Sequence, residues 1–306
     1  MIIKKTPAEI DAMARAGDVL VATLAELERH VRPGISTAEL DRIAERFVRA
    51  RGGVPTFKGY RGFPGSICAS PNDMVVHGIP GPYRLKGGDI ISIDVGVTLE
   101  GWVADAARTF AVGKISAQAR SLLAGTEASL LAGVAQCLAG ARMGDVSSAI
   151  QQAAEGAGLS VVRSLVGHGI GRSMHEDPQV PNYGTPGKGP LLEEGMVLAV
   201  EPMMTAASAE VRVDEDGWAI YSRDRSLAAH FEFTVAITGA GPRILTPWRR
   251  MILHFSHIGL TDGLTFIDPL RLVPAIRLWL PPRPSLPGRR GSNGARIRRI
   301  EQDSGW

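Results

Sequence analysis

The segment from Asp89 to Phe110, DIISIDVGVTLEGWVADAARTF, constrains this chain more than any other, because it sets two acids inside apolar strand-forming runs. It reads as a hairpin in which Asp94 and Asp105 lie equally far from a centre at Leu99-Glu100 and therefore face each other. Cross-strand partners have Cβ atoms roughly 4.5–5.5 Å apart, so two carboxylates there repel unless a proton or a cation lies between them. Ile93 and Val95 flank one acid, and Ala104 and Ala106 the other. Buried like charges in that setting call for a metal.

Further donors stand later in the chain. Glu201 in VLAVEPMM and Glu232 in AHFEFTVAIT are each a lone acid in an apolar strand, and His168 in LVGHGIGR adds an imidazole at a glycine-rich bend. One histidine and four carboxylates make an oxygen-rich set that suits a pair of divalent ions such as Mn²⁺, Fe²⁺ or Co²⁺ better than a thiolate zinc site. A buried salt bridge explains any one of these acids equally well, but explains the whole set poorly. His77 in MVVHGIPG and His175 in GRSMHEDPQVPNYG sit among Gly and Pro, as in loops at strand ends where catalytic side chains tend to be placed. A lone loop histidine is more often simply solvated.

The flanking pattern suggests a duplication. Thr6, Pro7 and Glu9 give a helix start, and the series Ile10, Met13, Val19, Leu20, Leu24, Leu27 keeps helical spacing to Pro33-Gly34. Ser36 with Glu39 opens a second helix that Gly52-Gly53 stops, and strands follow around residues 65–69, 90–97 and 102–112. The order then repeats. Ser116 opens a helix to about Ala141, Asp145 caps another to about Glu155, and strands follow near 161–166, 196–200 and 231–238. Two halves of one order imply a site between them; coincidence of two α+β segments is the alternative.

Composition bounds the rest. With 306 residues, 44% of them hydrophobic, the chain can bury a large core. The net charge of +3 belongs to the end of the chain: residues 248–306 hold ten Arg, no Lys and four acids, leaving the remainder near −3. The main body thus lacks the basic surface that DNA binding needs. Cys68 and Cys137 form no C-x-x-C pair, and no apolar run has signal-peptide or membrane-spanning length, so a reducing, cytoplasmic setting without membrane contact is expected. The Arg- and Pro-rich stretch 247–306 reads as an extension, weakly docked or disordered, on a catalytic domain of residues 1–246. GHGIGR lacks the spacing of a dinucleotide fingerprint, and neither a G-x-S-x-G elbow nor a P-loop occurs.

Taken in order, IDVG, GHGIGR, MHEDPQVPNYG, EPM, DGW and FEFTVAIT resemble the motifs of the type I methionine aminopeptidases in their short bacterial form, from Met1 to about Thr246. The resemblance implies the pita-bread fold, an α/β (α+β) domain with pseudo-twofold halves around a central antiparallel sheet. It further implies that Asp94, Asp105, His168, Glu201 and Glu232 hold two divalent ions (Co, Mn or Fe), with Asp105 and Glu232 bridging. In such a site a water between the ions attacks the first peptide bond, Glu201 helps take up its proton, His175 stabilises the oxyanion, and His77 contacts the backbone beyond. Phe57, Tyr60, Phe63, Cys68 and Trp218 match the methionine pocket. Nascent polypeptides with N-terminal Met are the implied substrates of a monomer, with ribosome association left open. Phe233 departs from the pattern by standing where a histidine often neighbours the last glutamate. A proline-specific aminopeptidase of the same fold and a metal-free binding module are the competing readings.

Overall fold

The computed structural model of the chain describes residues 1–248. The proposed extension lies outside the described residues from position 249 onward. Its second residue, Trp248, is buried, with its ring 4.0 Å from that of Phe233.

The first half opens with α1 (Pro7–His30) and α2 (Thr37–Arg49). Both start as the sequence predicts. The Thr6 and Ser36 hydroxyls accept the amides of Glu9 and Glu39, whose carboxylates in turn accept the Thr6 and Ser36 amides. Five strands follow: β1 (Val54–Pro55), β2 (Cys68–Pro71), β3 (Met74–Val76), β4 (Ile90–Leu99) and β5 (Trp102–Ala111). β4 is central, with β1 and β2 antiparallel to it along one edge and β5 along the other. The buried stripe Ala16, Leu20, Leu24, Leu27 of α1 packs in one cluster with Ile91, Ile93, Val95 and Val97 of β4. Burying side chains of this size contributes about 1.5–3 kcal/mol each.

The second half repeats the plan with α3 (Ala117–Val134) and α4 (Met143–Gly156). Here α3 stops well short of Ala141. The chain leaves the helix because Gly140 donates to the Leu192 carbonyl while the Leu192 amide donates to Ala141. Asp145 is not itself the cap of α4 but its third residue, where its carboxylate accepts the amide of Arg142. The strands are β6 (Ser160–Val161), β7 (Val166–Gly169), β8 (Glu176–Pro181), β9 (Val197–Val200), β10 (Met203–Thr205), β11 (Val211–Val213), β12 (Ile220–Ser222), β13 (Ala228–His230), β14 (Phe233–Thr238) and β15 (Gly241–Ile244). An antiparallel sheet in the order β15-β14-β9-β7-β8 is the counterpart of the first-half sheet. Corresponding helices start 110 residues apart for α1 and α3 and 106 apart for α2 and α4.

The halves meet along β5 and residues 230–234. The Thr109 hydroxyl accepts the His230 amide at 3.0 Å and donates to the His230 carbonyl at 2.9 Å. Reciprocally, the Thr234 hydroxyl accepts the Asp105 amide at 2.9 Å and donates to the Asp105 carbonyl at 2.7 Å. Midway between them, the Glu232 amide donates to the carbonyl of Ala107 at 2.9 Å. All of these groups are buried, so each missing partner would cost about 1–3 kcal/mol.

The hairpin register differs from the sequence expectation. Asp94 pairs with Ala107, and Asp105 with Gly96, so the two acids are diagonal neighbours on one face. The turn is Glu100-Gly101, not Leu99-Glu100: a type I′ two-residue turn needs positive φ at both positions, and Glu100 has φ 52° and Gly101 φ 75°. A diagonal still lets side chains of this length approach the same point.

Candidate metal centre

β4 and β5 carry Asp94 and Asp105, β7 carries His168, Glu201 follows β9 directly, and Glu232 directly precedes β14. One ligand atom each of Asp105, His168 and Glu232 lies within 4.8 Å of the others. His168 Nε2 is 3.8 Å from Asp105 Oδ2 and 3.5 Å from Glu201 Oε1. Asp94 joins them from the diagonal of the hairpin. The His168 Nδ1–H donates to the Gly169 carbonyl at 2.8 Å, which leaves Nε2 with its lone pair toward the carboxylates. Glycine at 167 has a packing reason: a Cβ there would run into the carbonyl of Ala199 on the neighbouring strand.

Burial dominates the electrostatics. It lifts the Asp94 carboxyl to about 6 and that of Glu201 to about 8. The Asp105 carboxyl is held well above the usual range by burial and then by Asp94 and Glu201, and that of Glu232 by burial and then by Asp105. His168 is pushed down to about 4 by burial and by His175. Among the described residues, Asp94 Oδ1, Asp105 Oδ1 and Glu232 Oε1 are buried oxygens without a hydrogen-bond partner. Orphaned carboxylate oxygens beside a neutral imidazole are what a divalent cation satisfies, so the donor set fits metal ions.

The other expected site residues converge on the same place. Cys68 lies directly opposite Asp94 in the β2–β4 register. Its thiol is pushed well up by burial and then by Asp94, so it serves as an apolar wall and not as a thiolate. Phe57, Phe63 and Cys68 share one buried cluster, with Tyr60 and Trp218 packed against it. The Phe63 and Trp218 rings meet edge to face at 5.1 Å. His175 reaches over this cluster, with Nδ1 2.9 Å from the Tyr60 hydroxyl and its ring 4.3 Å from that of His168. His77 follows β3 in the left-handed region at φ 59°, and is pushed down to about 4 by burial and then by His230 and His175.

Two site features escaped the sequence reading. Thr109 and Thr234, which join the halves, look like ordinary strand residues. His230 was passed over although it precedes Glu232 by two, the strand spacing that returns a side chain to the same face.

Residues 11–239 match the model of metallopeptidase family M24. The methionine aminopeptidase of Clostridium perfringens is 54% identical over 246 residues, covering 80% of this chain and 99% of that protein. The chain belongs to the methionine aminopeptidases of family M24. Methionine aminopeptidase 1 of Bacillus subtilis is 52% identical with the same coverage. The crystal structure of the methionine aminopeptidase from Rickettsia prowazekii superposes with a TM-score of 0.80 at 40% identity, covering 81% of this chain and all of that one. The fold is therefore the pita-bread fold, and the chain is a metallo-aminopeptidase whose family accounts for the buried carboxylates. No helix among the described residues is long and apolar enough to cross a membrane.

Proposed function

We propose that this chain removes the N-terminal methionine of nascent proteins and peptides in the cytoplasm, using two divalent ions held by Asp94, Asp105, His168, Glu201 and Glu232. One observation carries the reading: Cys68 pairs with Asp94, so the wall of an aromatic and thiol cluster abuts the carboxylates. A first side chain seated in that cluster would bring its peptide bond over the acids. Apolar, polarisable surroundings suit a thioether.

When bound, the ions polarise the scissile carbonyl and supply a nucleophile at neutral pH. The residues of the chain divide the remaining work. Glu201, lifted to about 8 in the metal-free site, takes up a proton from the attacking water and returns it to the leaving amine. Asp105 and Glu232, at the seam between the two halves, would hold both ions. Burial lowers the pKa of His175, with Arg61 adding to the effect, so the ring is neutral at pH 7. In the tautomer where Nδ1 accepts the Tyr60 hydroxyl at 2.9 Å, the His175 Nε2–H is free to donate to the developing oxyanion. His77 contacts the backbone beyond the scissile bond.

The test compares Met-Ala-Ser, acetyl-Met-Ala-Ser and Ala-Pro-Ala with chelator-stripped full-length protein, with and without Mn²⁺ or Co²⁺. Release of Met only from the free-amine Met peptide, and only with metal, is the expected result. Preference for Ala-Pro-Ala moves the activity to proline peptides, and silence on all three in folded, metal-loaded protein rejects the reading.

A further inference from the structure

The geometry points to His230 as a further ligand of the metal centre, a second imidazole supplied by the half that carries Glu201 and Glu232. This rests on the two-ion reading above and adds a donor to it.

Distances come first. His230 Nε2 stands 3.5 Å from Glu201 Oε2 and 3.9 Å from Glu232 Oε2. These nearly repeat the spacings that His168 Nε2 makes with Glu201 Oε1 and Asp105 Oδ2, 3.5 and 3.8 Å. They are long for hydrogen bonds, which fall at about 2.7–3.2 Å. They suit donor atoms sharing one ion: donors about 2.0–2.2 Å from a metal stand roughly 3–4 Å apart. Glu201 thus has an imidazole on each carboxylate oxygen.

Burial points the same way. His230 is 1% exposed, and neither ring nitrogen has a hydrogen-bond partner among the described residues. A buried imidazole left so is costly. An ion on Nε2 satisfies one nitrogen and fixes the ring as the Nδ1–H tautomer.

Strand register supplies an independent argument. Along the seam, Thr109 meets His230, Ala107 meets Glu232, and Asp105 meets Thr234. Exchanging the two strands therefore carries Asp105 onto His230. The same exchange carries Asp94 onto Glu201: Asp94 is opposite Ala107, and one step beyond the Phe233–Val200 pair sets Glu201 opposite Glu232. His230 occupies in one half the position that Asp105 holds in the other.

The experiment loads full-length protein with Co²⁺ and counts exchangeable, hyperfine-shifted imidazole N–H resonances by proton NMR, beside calorimetric titration of the metal. Wild type should show two such resonances, and His230→Gln and His168→Gln one each. His230→Gln should also weaken one ion by about 10–100-fold. A single resonance in wild type that persists in His230→Gln overturns the inference while leaving the two-ion peptidase intact. A silent His168→Gln spectrum overturns it without any change at position 230, so a poorly folding His230 variant does not shield it. Wild type that takes up no Co²⁺ defeats the two-ion reading itself, and this inference with it.

Discussion

The Thr234 hydroxyl is bound to Asp105 twice, accepting its amide at 2.9 Å and donating to its carbonyl at 2.7 Å. A second-half side chain thereby fixes the backbone of a first-half carboxylate, and Thr109 returns the arrangement on His230. Replacing Thr234 with Val keeps the shape and leaves two buried backbone groups unpaired. Metal-free protein should lose about 2–4 kcal/mol of stability. Urea unfolding of the metal-free variant measures this, and a change under 1 kcal/mol would show that the seam is held by packing.

His175 and Tyr60 separate by role. His175→Ala should lower kcat by about 10²-fold or more if the ring stabilises charge that appears only in the transition state. Tyr60→Phe removes the 2.9 Å contact to Nδ1 but keeps the aromatic wall, so its loss should be smaller and should also fall on kcat. Steady-state kinetics on Met-Ala-Ser decides, and an effect of His175→Ala confined to KM contradicts the assignment.

Metal-free stability should depend on pH in a defined direction. Glu201 rises from 4.5 to about 8 on folding, so the folded state binds its proton more tightly than the unfolded state. Its contribution is complete below 4.5 and is lost as pH rises toward 8. His168 falls from 6.5 to about 4, so its contribution is present above 6.5 and is lost as pH falls through 4. Between about 6.5 and 8 the histidine is silent and the carboxylate dominates. The metal-free Tm should therefore fall over that window, while the increase in Tm produced by Mn²⁺ should grow, since metal needs deprotonated ligands. A flat metal-free profile over the window would count against a buried, raised carboxylate.

Trp248 stands at the edge of the described residues, its ring tilted 35° against that of Phe233 at 4.0 Å. Trp248→Ala should cost about 3–5 kcal/mol, whereas removal of residues 249–306 should leave Met release unchanged. Loss of activity in a folded truncation would show that the extension contributes to catalysis.

The convergence of Asp94, Asp105, His168, Glu201 and Glu232 was legible because four lone acids in apolar strands with one histidine are poorly explained, as a set, by separate salt bridges. Register was less legible. Asp94 and Asp105 are symmetric about Leu99-Glu100 in sequence, but positive φ at Glu100 and Gly101 moves the turn one residue onward and makes the pair diagonal. Gly101, which tolerates positive φ, is the residue in the sequence that marks this turn. The end of α3 was misplaced because pairing of Gly140 and Ala141 with Leu192 overrides helical periodicity. His230 was missed for a different reason: beside a glutamate in an apolar strand its role depends on which residues face it across the seam, and that pairing joins positions more than a hundred residues apart.

Ala107 occupies the position in the first half that Glu232 holds in the second, with Asp94 opposite it and no exposed surface. The pseudo-twofold is broken there by a methyl group. As a result Asp94, Asp105, Glu201 and Glu232 carry four negative charges when ionised, matching the four positive charges of two divalent cations. A carboxylate at 107 would leave one charge in excess in a dry interior. With the two divalent ions proposed above, the four ionised carboxylates would balance the metal charge, and a neutral imidazole such as that of His168 would add a donor without upsetting that balance.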